Sequence, residues 1–208
     1  MIILFDLDGT LIDSTEAILE SFHHSLDVHG YLPHPKDSEI EALIGYPLDI
    51  MFSRVGIDES VVWDYVSTYK EHYQKISTQK TLLLECAREA VERASKIATL
   101  GVVTTKTGKY SRVLLEHFGI MKYFEVLIGR EDVKEPKPAA EPILKALENL
   151  PKDENVWMIG DTKLDLICAK NAGVNSIGVT SGYDTKETIL QYTQNIYKDA
   201  LKAVESLE

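Results

Sequence analysis

The chain opens on an unbroken apolar run, Met1, Ile2, Ile3, Leu4 and Phe5, and turns acidic at Asp6. A short apolar run bounded by turn-forming residues predicts a strand buried on both faces. The period then changes. Ile18, Phe22 and Leu26 recur at helical spacing through AILESFHHSLDVH, and Gly30 supplies a stop. Asp13, with Glu16 three residues on, predicts a capping box at the start of that helix. YLPHPKD is a turn-rich break. Two short helical patterns follow, around SEIEALI and PLDIMFSRV, separated by Gly45 and ended by Gly56. A longer helix is expected from about Glu59 to Ile76, carrying Val62, Tyr65, Val66, Tyr69 and Tyr73. This tyrosine stripe reads as packing rather than as a cofactor-binding face. Residues 15–80 thus hold helices and no strand pattern.

From residue 81 the pattern alternates. ECAREAVERASK, GKYSRVLLEHF, AAEPILKALENL and KLDLICAKNA read as helices. Between and after them IATLGVVTT, FEVLIG, VWMIG and NSIGVTS read as strands, and the tail reads as mostly helical. Strands alternating with helices predict βαβ units and a parallel sheet. The expected fold is α/β, a Rossmann-like core of residues 1–14 and 81–208, with a helical domain of residues 15–80 inserted after the first strand. In such sheets ligands bind beyond the carboxyl ends of the strands.

Composition narrows the possibilities. A chain of 208 residues accommodates one domain plus an insertion, and 44% hydrophobic with 26% charged residues is ordinary for a soluble globular protein. The formal net charge of -11 argues against a nonspecific nucleic-acid partner, which needs a basic face. Cys86 and Cys168 lie in no CxxC motif, so a reduced, cytoplasmic protein is expected. The opening apolar run is too short for a signal peptide, and no stretch approaches the roughly 20 apolar residues of a membrane helix.

The chemistry-bearing residues sit where strands should end. Asp6 and Asp8 flank Leu7 at the end of the first strand, so their carboxylates point to one side. Gly9 permits a tight turn there, and Thr10 offers a hydroxyl to hold it. A bare DxD also suits a helix cap on a solvated turn. Two close carboxylates otherwise need a cation between them, and a hard divalent ion such as Mg²⁺ chooses oxygen ligands. One of the two could instead serve as a nucleophile. GVV runs into Thr104, Thr105 and Lys106, whose hydroxyls and backbone N–H groups suit an anion. Lys137 stands between Pro136 and Pro138 before a helix, with Lys134 nearby, and a fixed lysine suits a phosphate oxygen or an acidic neighbour. VWMIG runs into Asp161, and Asp165 follows four residues later, so that both can face the first acidic pair.

The order DxDGT, strand-ending Thr, Lys in a KP loop and GDxxxD resembles the haloacid-dehalogenase-like hydrolase superfamily over the whole chain. Its helical-cap subgroup contains phosphoglycolate phosphatase, β-phosphoglucomutase and phosphonatase. The resemblance implies a Mg²⁺-dependent phosphatase acting on a small phosphorylated metabolite, such as a phosphoglycolate-like monoester. It implies Asp6 as nucleophile and metal ligand, and Asp8 as general acid and base with its backbone carbonyl on the metal. Thr104, Thr105 and Lys137 would hold the phosphoryl group, Asp161 would ligate Mg²⁺, and Asp165 would support that shell. An intact Asp8 is unlike the dehalogenases and phosphonatases. Ile18 stands where the mutases carry a cap histidine. IGYPLDIMF resembles the cap loop of phosphoglycolate phosphatases and related pyrophosphatases, so a phosphomutase, a pyrophosphatase and a 5'-nucleotidase are the alternatives. TLLLEC replaces the Tyr-Pro-Gly turn that relatives have before the second motif, which touches the hinge and not the chemistry. A response-regulator receiver shares the Asp, Thr and Lys but has no helical insertion. A monomer or weak dimer is expected, with no nucleic-acid or membrane partner.

Overall fold

The computed structural model describes residues 1–208. Its centre is the first strand, β1 (Ile2–Phe5), every residue of which is buried. β1 pairs in parallel with β4 (Thr99–Val103) on one side and with β6 (Val156–Gly160) on the other. The sheet grows outward to β5 (Phe124–Ile128) beyond β4, and to β7 (Asn175–Val179) and β8 (Ile196–Tyr197) beyond β6. All five pairings are parallel, in the order β5-β4-β1-β6-β7-β8. The α/β expectation therefore holds. Phe5 is level with Val102 and with Ile159, so these three strands end side by side and their carboxyl ends share one crevice. The chain winds outward from β1 in one direction and then in the other. The crevice is thus the switch point at which such sheets bind ligands.

Both sheet faces are covered, which is why these strands are continuous apolar runs rather than alternating ones. Ile3 and Phe5 join a cluster with α5 (Ala87–Ala94), α6 (Gly108–His117) and α10 (Ala200–Glu205). Ile2 and Leu4 point the other way, into a cluster with α7 (Glu141–Glu148) and α8 (Lys163–Ala172).

Residues 15–80 form α1 (Thr15–Val28), α2 (Asp37–Glu41), α3 (Leu48–Arg54) and α4 (Val62–Lys80). They have an apolar cluster of their own that contains Phe22, Phe52, Tyr65, Tyr69 and Tyr73. The Phe22 and Phe52 rings stack at 4.0 Å, and the Ser25 hydroxyl donates to the Tyr65 carbonyl at 2.8 Å. The tyrosine stripe does pack, as its spacing predicts.

Two local expectations are corrected, for Asp13 and for the tail, and one pairing is new. No capping box forms with Asp13. The residue preceding α1 is Ser14, whose side chain does not cap the helix, and Asp13 accepts only from the Thr15 N–H. Two short strands, β2 (Ile12–Asp13) and β3 (Leu82–Leu83), pair antiparallel where the chain leaves and re-enters the core. Each is two residues long, too short for any period to reveal. The tail holds α9 (Lys186–Ile189) and α10, but it also supplies the edge strand β8.

Candidate active site

Asp6 follows β1 directly, and the chain turns at Gly9, whose φ is +78°. A side chain at Gly9 would place its Cβ 2.3 Å from Asp161 Oδ2. Gly182 also approaches this carboxylate, and a Cβ there would lie 2.0 Å from the same oxygen. Asp161 therefore lies against two backbones with no room for a methyl group on either. It is fully buried, and it accepts from the Thr10 hydroxyl at 2.9 Å and from the Tyr183 N–H at 2.9 Å. Thr10 was expected to hold its own turn. Its hydroxyl instead ties the first motif to the last.

Asp165 caps α8, on which it sits. Its Oδ2 accepts from the Thr162 N–H at 3.0 Å and the Thr162 hydroxyl at 2.8 Å. Its Oδ1 accepts from Lys137 Nζ at 2.5 Å. Lys137 is only 2% exposed, so it is no solvated loop lysine. The same ammonium reaches Asp6 Oδ1 at 2.8 Å and the Val103 carbonyl at 3.1 Å. Lys134 lies outside this set, exposed, with its N–H on Glu141.

The electrostatics follow from burial. Asp6 is pushed up to about 7, first by burial and then by Asp165, against the pull of Lys137. Asp161 is held well above the carboxylate range by burial, Asp6 and Asp165. Burial works against the Lys137 ammonium, but Asp165 and Asp6 outweigh it and keep the lysine charged. Three buried carboxylates thus face one ammonium. Asp6, Asp161 and Asp165 bring oxygens within 4.8 Å of one another. Closely set hard oxygens with an excess of negative charge fit a hard divalent cation such as Mg²⁺.

Asp8 stands apart from that trio. Its Oδ1 accepts from the Ser14 hydroxyl and lies 3.1 Å from Lys106 Nζ. Ser14 therefore commits its hydroxyl to Asp8 instead of capping α1. Lys106 is itself set 4.7 Å above the ring of Tyr73. Thr104 is buried at the end of β4, and its Oγ1 accepts from the Lys106 N–H at 3.1 Å. Thr105 points elsewhere, its hydroxyl donating to the Gly45 carbonyl of the helical segment at 2.8 Å.

The sequence reading missed Ser14 and the side chain of Lys106. It also missed the loop after β7, where four consecutive residues support the crevice. Ser181 donates to the Gly9 carbonyl at 2.8 Å, Gly182 makes room for Asp161, and Tyr183 donates its N–H to Asp161. Asp184 then accepts from the Lys163 N–H at 2.6 Å. The available signal was a Gly-containing polar loop at the carboxyl end of a predicted parallel strand.

Beyond Asp8 and Lys106 a cavity of about 220 Å³ opens between the helical segment and the core. Ile18, Ile44, Met51, Val66, Tyr69 and Tyr73 form much of its wall on the helical side. Thr105, Thr107 and Tyr110 belong to its wall on the core side.

The chain matches the family described as haloacid dehalogenase-like hydrolase over residues 3–179. It is 34% identical over 183 residues to the pyrophosphatase PpaX of Bacillus cereus, a match covering 86% of this chain and 82% of that one. Among solved structures it is similar to a haloacid dehalogenase-like family hydrolase from Streptococcus pneumoniae. There the TM-score is 0.87 at 25% identity, covering 100% of this chain and 98% of that one. It is also similar to the crystal structure of a predicted phosphatase from Clostridium acetobutylicum, with a TM-score of 0.89 at 27% identity, covering 99% of this chain and 97% of that one. With most of its length matched, and with its acidic crevice at the switch point of a parallel sheet, the chain belongs to the haloacid dehalogenase-like hydrolases.

Proposed function

We propose that this protein is a Mg²⁺-dependent phosphatase that hydrolyses a small phosphate monoester by way of an aspartyl phosphate on Asp6. The observation that carries the reading is the single buried ammonium of Lys137, 2.8 Å from Asp6 and 2.5 Å from Asp165. It holds a carboxylate oxygen in place at the mouth of the crevice and offers positive charge where a phosphoryl group would arrive. Asp6, Asp161 and Asp165 are the residues that would hold the cation, with Asp165 acting mainly through Lys137 and Thr162. When bound, Mg²⁺ would supply charge that offsets the repulsion between carboxylate and phosphate dianion.

The steps then belong to the side chains. Asp6 attacks phosphorus, and the bond from phosphorus to the ester oxygen breaks. Asp8 gives its proton to the departing oxygen, which leaves as an alcohol. Asp8 next takes a proton from water, whose oxygen attacks the aspartyl phosphate and releases inorganic phosphate, restoring Asp6. Ser14 and Lys106 aim Asp8 for both transfers. Lys137, with the backbone N–H groups around Thr104, steadies the transferring group. Residues 15–80 serve as the cap that covers the leaving group and excludes water.

A second reading, hydrolysis of pyrophosphate, is favoured by the similarity to PpaX pyrophosphatases at 34% identity. The test is Mg²⁺-dependent phosphate release from a panel of alkyl phosphates, phosphoglycolate, nucleotides, sugar phosphates and pyrophosphate. Turnover of a monoester that vanishes in Asp6→Asn supports the first reading. Turnover of pyrophosphate alone supports the second. Release that persists in excess chelator would sink both.

A further inference from the structure

The cavity between the cap and the core has walls unlike those a small anionic leaving group requires. Tyr69 and Tyr73 face it from α4, and their rings stack at 5.5 Å with only 11° between planes. Tyr110 approaches from α6, its ring 6.0 Å from that of Tyr73. Ile18 and Met51 complete an apolar surface. Trp63, the first large side chain of α4 to reach the cavity, is 60% exposed. An indole left in water beside an apolar pocket gains by being covered.

Charge and size point the same way. The cations lining the cavity are Lys70, Lys106 and Arg130, and they are matched in number by Asp8, Asp49 and Glu131. Lys106 is already paired with Asp8. With Asp8 protonated as the acid, the lining carries one excess positive charge at most, and a second phosphoryl group, or the carboxylate of glycolate, would leave water for largely aromatic walls. The volume of about 220 Å³ exceeds the roughly 150 Å³ of an apolar cavity that takes a benzene molecule, so there is room for a ring. A two-carbon acid would leave most of that space unfilled.

We infer that the alcohol released by this enzyme is apolar and carries a planar ring, which lodges against Trp63 and Tyr110. This inference rests on the phosphatase reading and names its substrate class. The alternatives it sets aside are phosphoglycolate and pyrophosphate.

The test compares 2-phenylethyl phosphate with ethyl phosphate, phosphoglycolate and pyrophosphate in the presence of Mg²⁺. The two alkyl esters have similar leaving alcohols and differ in the ring. The expected kcat/KM is at least tenfold higher for the phenylethyl ester than for any of the others. In Trp63→Ala the ratio of kcat/KM between the phenylethyl and ethyl esters should fall several-fold. A separate measurement needs no turnover. Calorimetric binding of 3-phenylpropylphosphonate should be at least tenfold tighter than that of propylphosphonate. If ethyl phosphate, phosphoglycolate or pyrophosphate matches the phenylethyl ester, the inference is overturned while the enzyme remains a phosphatase. If no compound releases phosphate, the phosphatase reading falls. Equal binding of the two phosphonates would then overturn the ring pocket as well, whereas tighter binding of the aryl compound would uphold it.

Discussion

Asp6 is both the proposed nucleophile and a buried carboxyl group, and each predicts a separate response to one substitution. Asn keeps the shape but is a poor nucleophile, so turnover by Asp6→Asn should fall by on the order of 10⁴ or more in a phosphate-release assay. A variant retaining a tenth of the activity would exclude the aspartyl phosphate. The second response is in stability. Burial and Asp165 raise the Asp6 pKa from 3.8 to about 7. A carboxyl group whose folded pKa is raised contributes stability that is full below its unfolded value and is lost as pH rises through its folded one. In chelator, the wild-type Tm should therefore drop relative to that of Asp6→Asn as pH goes from 5.5 to 8. A constant difference across that range would refute the burial argument. Asp8 offers a third handle through Lys106, 3.1 Å away. Lys106→Met removes one charged hydrogen-bond donor, worth about 1.5–3 kcal/mol, so kcat should fall roughly ten- to a hundredfold. A kcat within twofold of wild type would show that Ser14 alone positions Asp8.

Elements deliver these side chains through their ends, and there the backbone matters more than the helix or strand itself. Gly9 takes φ +78° and faces Asp161 at a distance no Cβ tolerates. Gly9→Ala should therefore lose stability by more than the roughly 1–2 kcal/mol of a left-handed residue alone. It should also lose activity, because Asp161 is displaced. A urea melt and the phosphate assay together check this, and unchanged values in both would mean that the turn relaxes freely. Such contacts mark the boundary of what the sequence discloses. The strand ends at Asp6, Thr104 and Asp161 were legible because apolar runs stop abruptly there. Ser14 was not, because a serine before a helix looks like a cap, and nothing local says that its hydroxyl turns to Asp8. Thr105 looked equivalent to Thr104, yet β4 ends between burial and turn, and the second hydroxyl goes to Gly45. The loop Ser181–Asp184 was invisible because its partners, Gly9, Asp161 and Lys163, lie up to 172 residues away in sequence. The tyrosine stripe was read as packing, which it is, but Tyr69 and Tyr73 are large enough to pack on one side and line a cavity on the other.

At the scale of the molecule, the parallel sheet gathers buried acids into one crevice from strands far apart in the chain, which no single strand could do. Asp6 comes from the end of β1, Asp161 from the end of β6, and Asp165 from the helix that follows. Lys137 alone opposes them. Folding therefore assembles a site that repels itself without a cation, and a divalent ion that binds only the folded chain must stabilise it. At a Mg²⁺ concentration 100 times its Kd, that linkage is about 2.7 kcal/mol. For a chain of 150–250 residues each kcal/mol moves the midpoint by roughly 2–4 °C, so saturating Mg²⁺ should raise the Tm by roughly 5–10 °C. Protons and the cation compete for the same carboxylates. With Asp6 raised to about 7 and Asp161 also raised, the Mg²⁺-dependent rise should be larger at pH 8 than at pH 5.5. Asp161→Asn removes one ligand while keeping an oxygen to accept from Thr10 or Tyr183, so it should fold and lose most of the rise. Ca²⁺ takes more oxygens at longer distance and should stabilise the chain without supporting turnover, by drawing both oxygens of Asp6 away from in-line attack. A melting curve indifferent to Mg²⁺ at pH 8, or an Asp161→Asn protein shifted as far as wild type, would show that Lys137 alone neutralises the crevice.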